Sequence, residues 1–275
     1  MVSNFHLPPT GFGPGSQPAD EDMGYMQMPS GMRTYAPHLP EIADADAAGP
    51  ALALLTRVAA ACDRAAATGE GEAFRLSDLP PEARRLLAET LGQGEVSVRI
   101  GGIAPVAAQE SVFAGVWCVL GEGIDRIEVG AVPACARMAC APEGAALGLA
   151  APKGPDVFNA PALLVELLDH AQAWQAGQPP HVVNLTLLPH TEGDLLWLDA
   201  ALGTGAVTIL SRGYGNCRVA ATATPNVWRV QFFNSMDSLI LDTFEVTDMP
   251  EVALAAPEDL TDSAARLREV LEAIR

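Results

Sequence analysis

Cysteine chemistry is the first possibility the chain offers. Cys135 and Cys140 stand at C-x4-C spacing, while Cys62, Cys118 and Cys217 stand alone. Structural zinc wants four ligands in two tight pairs. The five cysteines contain no C-x-x-C, and His6, His38, His170, His181 and His190 are scattered. No metal centre is expected, and the cysteines read as small hydrophobes. Two Gly-x-Gly pairs, Gly92/Gly94 and Gly203/Gly205, raise phosphate binding. A phosphate-cradling loop runs strand, glycines, helix, so that helix-terminal N–H groups face the anion. Here the predicted order is helix, glycines, strand. The first glycine of each pair is then a residue just past a helix end with φ > 0, and the second helps the chain turn. Gly213-Tyr214-Gly215 falls between two strand candidates and reads as a hairpin turn, with Tyr214 as a candidate binding aromatic. Trp117 and Trp228 lie in apolar strands, as core or as a seam between lobes. No Gly-x-Ser-x-Gly elbow, His-Glu-x-x-His or Walker sequence is present, so no catalytic residue is assigned.

The totals bound the partners. Acidic residues number 34 against 16 basic, for a net charge of −18. Such a surface repels phosphate backbones and attracts basic partners, which argues against nucleic acid. Hydrophobic residues are 49% and aromatics 5%, so the core must be mostly aliphatic. The odd cysteine count does not suit a secreted disulfide framework. The N-terminus has neither a basic n-region nor an apolar h-region, and no uninterrupted apolar run reaches about 18 residues. These features predict a soluble, cytoplasmic protein without membrane insertion.

Four segments are expected. Residues 1–45 hold Pro8, Pro9, Pro14, Pro18, Pro29, Pro37 and Pro40 and five of the eight methionines, a flexible tail or Met-rich docking segment. A first α/β lobe covers 46–140, an Ala/Gly/Pro-rich connector 141–159, and a second lobe 160–275. Helical spacing predicts helices near 48–68, 81–91, 160–175, 190–202 and 260–274. Strand candidates are 95–100, 111–120 and 126–132 in the first half, and 181–186, 206–212, 217–224, 227–233 and 239–247 in the second.

The halves repeat one another. Leu76 to Pro80 matches Leu185 to Pro189, and Leu86-Leu87 matches Leu195-Leu196, both at an offset of 109. Leu91-Gly-x-Gly-x-Val-x-Val matches Leu202-Gly-x-Gly-x-Val-x-Ile, and Val116-Trp117 matches Val227-Trp228, at an offset of 111. Glu128-Val129 matches Glu245-Val246 at 117. The offset grows only between predicted elements, where insertions are tolerated. The expected fold is α+β: two diverged repeats, each a two-layer sandwich of a mostly antiparallel sheet with helices on one face.

The stretch Pro250-Glu-Val-Ala-Leu-Ala-Ala-Pro-Glu-Asp-Leu260 opens the last predicted helix. The helix dipole accounts for Asp259 but less well for Glu251 and Glu258, so all three are candidate partner contacts. With Gly13-Pro-Gly-Ser-Gln-Pro18, Leu91 to Ile100, Asn184 to Pro189 and Gly213 to Gly215, this stretch makes the chain resemble the nickel–iron hydrogenase expression/formation family known as HupH, HyaF or HoxQ. The resemblance implies a cytoplasmic, non-catalytic accessory protein of uptake-hydrogenase maturation. It implies a thioredoxin-like accessory partner and a client, the small-subunit precursor, which carries iron–sulfur clusters and a twin-arginine signal. The role implied is chaperoning that precursor before export and assembly. The alternative is a carrier of iron or iron–sulfur clusters through the cysteines.

Overall fold

The structure is a computed structural model that describes residues 45–139, 146–212 and 216–274. The tail, Cys140, the first part of the connector and Gly213-Tyr214-Gly215 lie outside the described residues. Helices are α1 (Ala45–Thr68), α2 (Pro81–Leu91), α3 (Ala134–Ala139), α4 (Ala160–Ala173), α5 (Glu192–Leu202) and α6 (Pro257–Ile274). Strands are β1 (Glu72–Arg75), β2 (Val96–Ile100), β3 (Val106–Glu110), β4 (Val116–Gly121), β5 (Ile124–Val129), β6 (His181–Asn184), β7 (Thr204–Ser211), β8 (Asn216–Thr222), β9 (Val227–Phe233) and β10 (Leu239–Val246).

The strands make one sheet in the order β1-β5-β4-β3-β2-β7-β8-β9-β10-β6. Every pairing is antiparallel. The two repeats meet where β2 pairs with β7, with Val98 opposite Ile209. These two residues are equivalents at the offset of 111, as a two-fold axis between antiparallel strands requires. The duplication also survives in single hydrogen bonds. Trp117 Nε1 donates to the Gly130 carbonyl at 3.0 Å, and Trp228 Nε1 donates to the Thr247 carbonyl at 3.2 Å. Phe113 N donates to Ser111 Oγ, and Thr224 N to Thr222 Oγ1.

Alternation along the strands sends apolar side chains to both faces. On one face, Phe74, Val116, Ile127 and Val129 pack beneath α1, α2 and α6, and Val183, Val227, Phe244 and Val246 beneath α4 and α5. On the other face one cluster runs from Trp117 and Val119 through Val98 and Ile209 to Val230 and Trp228. Ala136 of α3 and Met249 and Ala253, after β10, close over it. Helix α6 follows the second repeat yet packs on the first: Leu260, Ala264, Leu267, Val270 and Leu271 share a cluster with Leu55, Val58 and Cys62 of α1. Its Ser263 Oγ donates to the Ala114 carbonyl at 2.9 Å. The C-terminal helix therefore ties the halves together. No helix among the described residues is long and apolar enough to cross a membrane.

Strands β1 and β3 and helix α3 were not expected. β3 reads Val-Ala-Ala-Gln-Glu, poor in strand-favouring residues, and β1 turns one large apolar side chain, Phe74, into the core. One expected repeat match is two residues out of register. α2 and α5 begin at 81 and 192 and end at 91 and 202, a constant offset of 111. Buried Leu86 and Leu87 therefore correspond to buried Trp197 and Leu198, not to Leu195 and Leu196. The two added residues bring in Thr191, whose side chain caps α5; α2 starts at Pro80-Pro81 with no side-chain cap.

Candidate functional site

The sequence-derived candidates fall in three places. Trp117 and Trp228 are each 1% exposed, and their indole N–H groups are bonded to backbone. They hold the sheet from inside. Gly92 and Gly203, with φ of 54° and 69°, end α2 and α5 and donate their N–H groups to Ala88 and Asp199. Gly94 and Gly205 pass tightly over the backbone of the neighbouring strand. Glu251 is exposed on the strap that leaves β10 and crosses to the first repeat, where Ala255 N donates to the Ala131 carbonyl at 2.8 Å, and Glu258 and Asp259 are exposed in the first turn of α6 that follows.

The strap lies near a group that sequence reasoning missed. Glu110, at the end of β3, is buried and accepts a hydrogen bond from Gly115 N at 3.0 Å. Burial pushes its carboxyl up to about 7; the Gly115 N–H opposes the rise, and the Asp259 and Glu95 carboxylates add to it. A carboxyl whose folded pKa exceeds its unfolded value of about 4.5 stabilises most below that value. The contribution is lost as pH rises from about 4.5 through 7. Glu110→Gln should flatten this slope and raise stability at pH 8 by about 1–3 kcal/mol, read by urea unfolding at pH 5 and 8.

The cysteines sit in surroundings that keep them protonated. Burial, helped by Asp63, pushes the Cys62 thiol up to about 12, and burial with Glu245 pushes Cys217 up to about 11. Burial also raises Cys118 and Cys135. These thiols are therefore protonated near neutral pH. Among the described residues no group of three His, Cys, Asp or Glu is placed to hold a metal ion. His170 and His181 stack with ring centroids 3.5 Å apart, and His181 Nε2 lies 2.8 Å from Glu166 Oε1, a local tie between α4 and edge strand β6.

The feature that separates the repeats is apolar exposure. Among the described residues fifteen large apolar side chains are exposed, and twelve of them lie between Leu147 and Val252. Several gather about the start of α5. Leu149 belongs to a 3-10 turn packed on α5, Phe158 (68% exposed) precedes α4, and Leu187 and Leu188 lead toward α5. Leu196 (64% exposed) borders a shallow cleft of about 290 Å³, with Pro152, Pro155, Val157 and Ala200. One buried carboxylate fixes this apron. Asp194, 1% exposed, accepts from Phe158 N, Asn159 N and Ala160 N on Oδ1 at 2.7, 2.9 and 3.0 Å, and from Thr191 N on Oδ2 at 3.0 Å. Burial alone would raise its pKa, but the four N–H donors outweigh it and hold the carboxyl at about 2. Asp194 thus locks the start of α4 to the start of α5.

The model of the HupH hydrogenase expression protein C-terminal conserved region matches residues 49–143 and 157–274. The chain is 63% identical to hydrogenase expression/formation protein HupH of Rhodobacter capsulatus over 277 aligned residues, covering 100% of each. It is 47% identical to hydrogenase expression/formation protein HoxQ of Cupriavidus necator, covering 98% of each. To the hydrogenase-1 operon protein HyaF of Escherichia coli it is 33% identical, over 98% of this chain and 95% of that one. With family matches across both repeats, the chain belongs to the HupH family of hydrogenase expression/formation proteins.

Proposed function

We propose that this protein is a non-catalytic accessory factor of nickel–iron uptake-hydrogenase maturation. In this reading it holds the iron–sulfur-containing small-subunit precursor in the cytoplasm, together with a thioredoxin-like accessory protein, before export and assembly. The relatives' names, hydrogenase expression/formation protein and hydrogenase-1 operon protein, support the setting. The observation that carries the holding role is the set of exposed apolar side chains on the connector and the second repeat, among them Leu149, Phe158 and Leu196. Exposed apolar side chains that gather on one surface mark a protein-binding site. The net charge of −18 favours encounter with a basic export peptide, an effect that salt screens.

The test is anaerobic retention of purified small-subunit precursor on the immobilised chain, with and without its signal peptide. Both forms are expected to be retained at low salt, the signal-bearing form losing part of its advantage as salt is raised. Retention of neither form would remove the reading.

A further inference from the structure

The helices cover only the flanks of their face of the sheet. Neither helical cluster includes a residue of β3, β2, β7 or β8, the four central strands about the pseudo-two-fold axis. Four neighbouring strands span about 14 Å between their outer axes. Among the described residues the helix-side face of these strands is an open saddle, with the α2-bearing layer on one side and the α5-bearing layer on the other.

The saddle carries guanidinium groups without an ion-pair partner in an acidic protein; its nearest carboxylates are Glu95, opposite Arg212, and Asp199, which borders the cleft beside Arg218 and is engaged by Arg229. Val98 and Ile100 are buried on the opposite face, so Arg99 points into the saddle; Cys217 and Val219 do the same for Arg218. Register places Ser97, Leu210 and Arg218 in one row across β2, β7 and β8, and Arg99, Thr208 and Ala220 in the next. Arg99 and Arg218 are exposed, and Arg212 follows directly on β7. Most described basic side chains are satisfied, for example Arg84 by Asp125, Arg137 by Asp248 and Arg268 by Asp63. Arg229 is held by both Asp199 and Asp242, each through two contacts of 2.7–3.0 Å. Arg57 lies over Phe74 and Lys153 over Trp197. The basic side chains with no ion-pair or aromatic partner among the described residues are Arg75, Arg99, Arg212 and Arg218, and three of these four line or border the saddle.

We infer that this saddle is a docking surface for an acidic helix of a partner protein. An α-helix is about 10–12 Å across with its side chains, which suits the uncovered width. Its carboxylates would pair with Arg99 and Arg218, and guanidinium groups suit that pairing through bidentate geometry. The chain's own charge disfavours a nucleic-acid occupant. The site stands apart from the apolar apron and does not depend on the precursor being the client.

The experiment places a photo-crosslinking p-benzoylphenylalanine at Ala107, which is exposed and lies opposite Arg99 in the register, in the full chain within a host carrying the hydrogenase operon. The same group at exposed Ala67 of α1 serves as the background control. The expected product is an intermolecular cross-link to a helical segment with net negative charge. Its yield should fall at least tenfold in R99E/R218E and by a smaller factor in R99K/R218K, which keeps the charge but loses the bidentate geometry, with unchanged thermal unfolding in both. A cross-link no stronger than at Ala67, one to a neutral or basic segment, an intramolecular one, or one undiminished in R99E/R218E would overturn the inference. If the precursor fails to bind while this cross-link persists, the client reading falls and the saddle stands.

Discussion

Asp194→Ala is expected to lower the unfolding free energy by about 3–5 kcal/mol, the largest effect of any single polar replacement in the second repeat. The side chain satisfies four backbone N–H groups from two segments and completes the capping box with Thr191. Removing it leaves the buried Ala160 N–H without a partner and frees the start of α4 from α5. Leu164, Leu167 and Trp197 would then lose their fixed packing, since all three belong to the cluster these helices cover. Urea unfolding measures the loss, and amide exchange should show it concentrated in α4 and α5. Asp194 also sets the acid limb. Its carboxyl is held at about 2 against an ordinary 3.8, so its stabilisation is complete above pH 4 and fades as pH falls from 4 toward 2. Asp194→Asn should flatten that part of the pH profile. A loss below about 1 kcal/mol in Asp194→Ala would contradict this account of how the two helix starts are joined.

Gly94→Ala and Gly205→Ala should each cost about 2–4 kcal/mol, although neither glycine packs a side chain. A Cβ on Gly205 would stand 2.5 Å from the Thr222 carbonyl oxygen and 2.8 Å from the Ala221 backbone oxygen. On Gly94 it would press closer still on the Ser111 carbonyl oxygen. The obstacles are backbone oxygens at or just beyond the sheet, so nothing flexible can yield. Gly154→Ala, with nothing within 4 Å of its added carbon, is the control and should change stability by less than about 0.5 kcal/mol. Equal, large losses at 94 and 205 would show the two repeats enforcing the same close approach. A silent substitution at either would mean that the β2–β3 or β7–β8 register relaxes.

Much of the architecture was legible because the repeats carry it twice. The Gly-x-Gly pairs and the paired tryptophans sit at one offset, and the structure turns that offset into matching helix ends and matching indole hydrogen bonds. Leu195-Leu196 misled because a leucine pair resembles another leucine pair; only the helix boundaries reveal that Trp197 and Leu198 are the buried equivalents. The joining of both repeats into one sheet was not legible, because strand pairing over more than a hundred residues leaves no local trace. The crossing of α6 onto the first repeat escaped for the same reason: its apolar stripe states that it packs, not on what. The apolar apron was hidden by its own composition. Leu149, Phe158 and Leu196 look like core residues in sequence, and only burial separates an outward leucine from an inward one.

The client-holding role rests on that outward apolar surface, and its most direct test is the affinity of anaerobically prepared small-subunit precursor for the intact chain and for the double variant F158S/L196E. Both side chains point to solvent, so unfolding should be unchanged within about 0.5 kcal/mol. The account predicts precursor binding at least tenfold weaker in the variant. Binding undiminished in a variant of unchanged stability would contradict it.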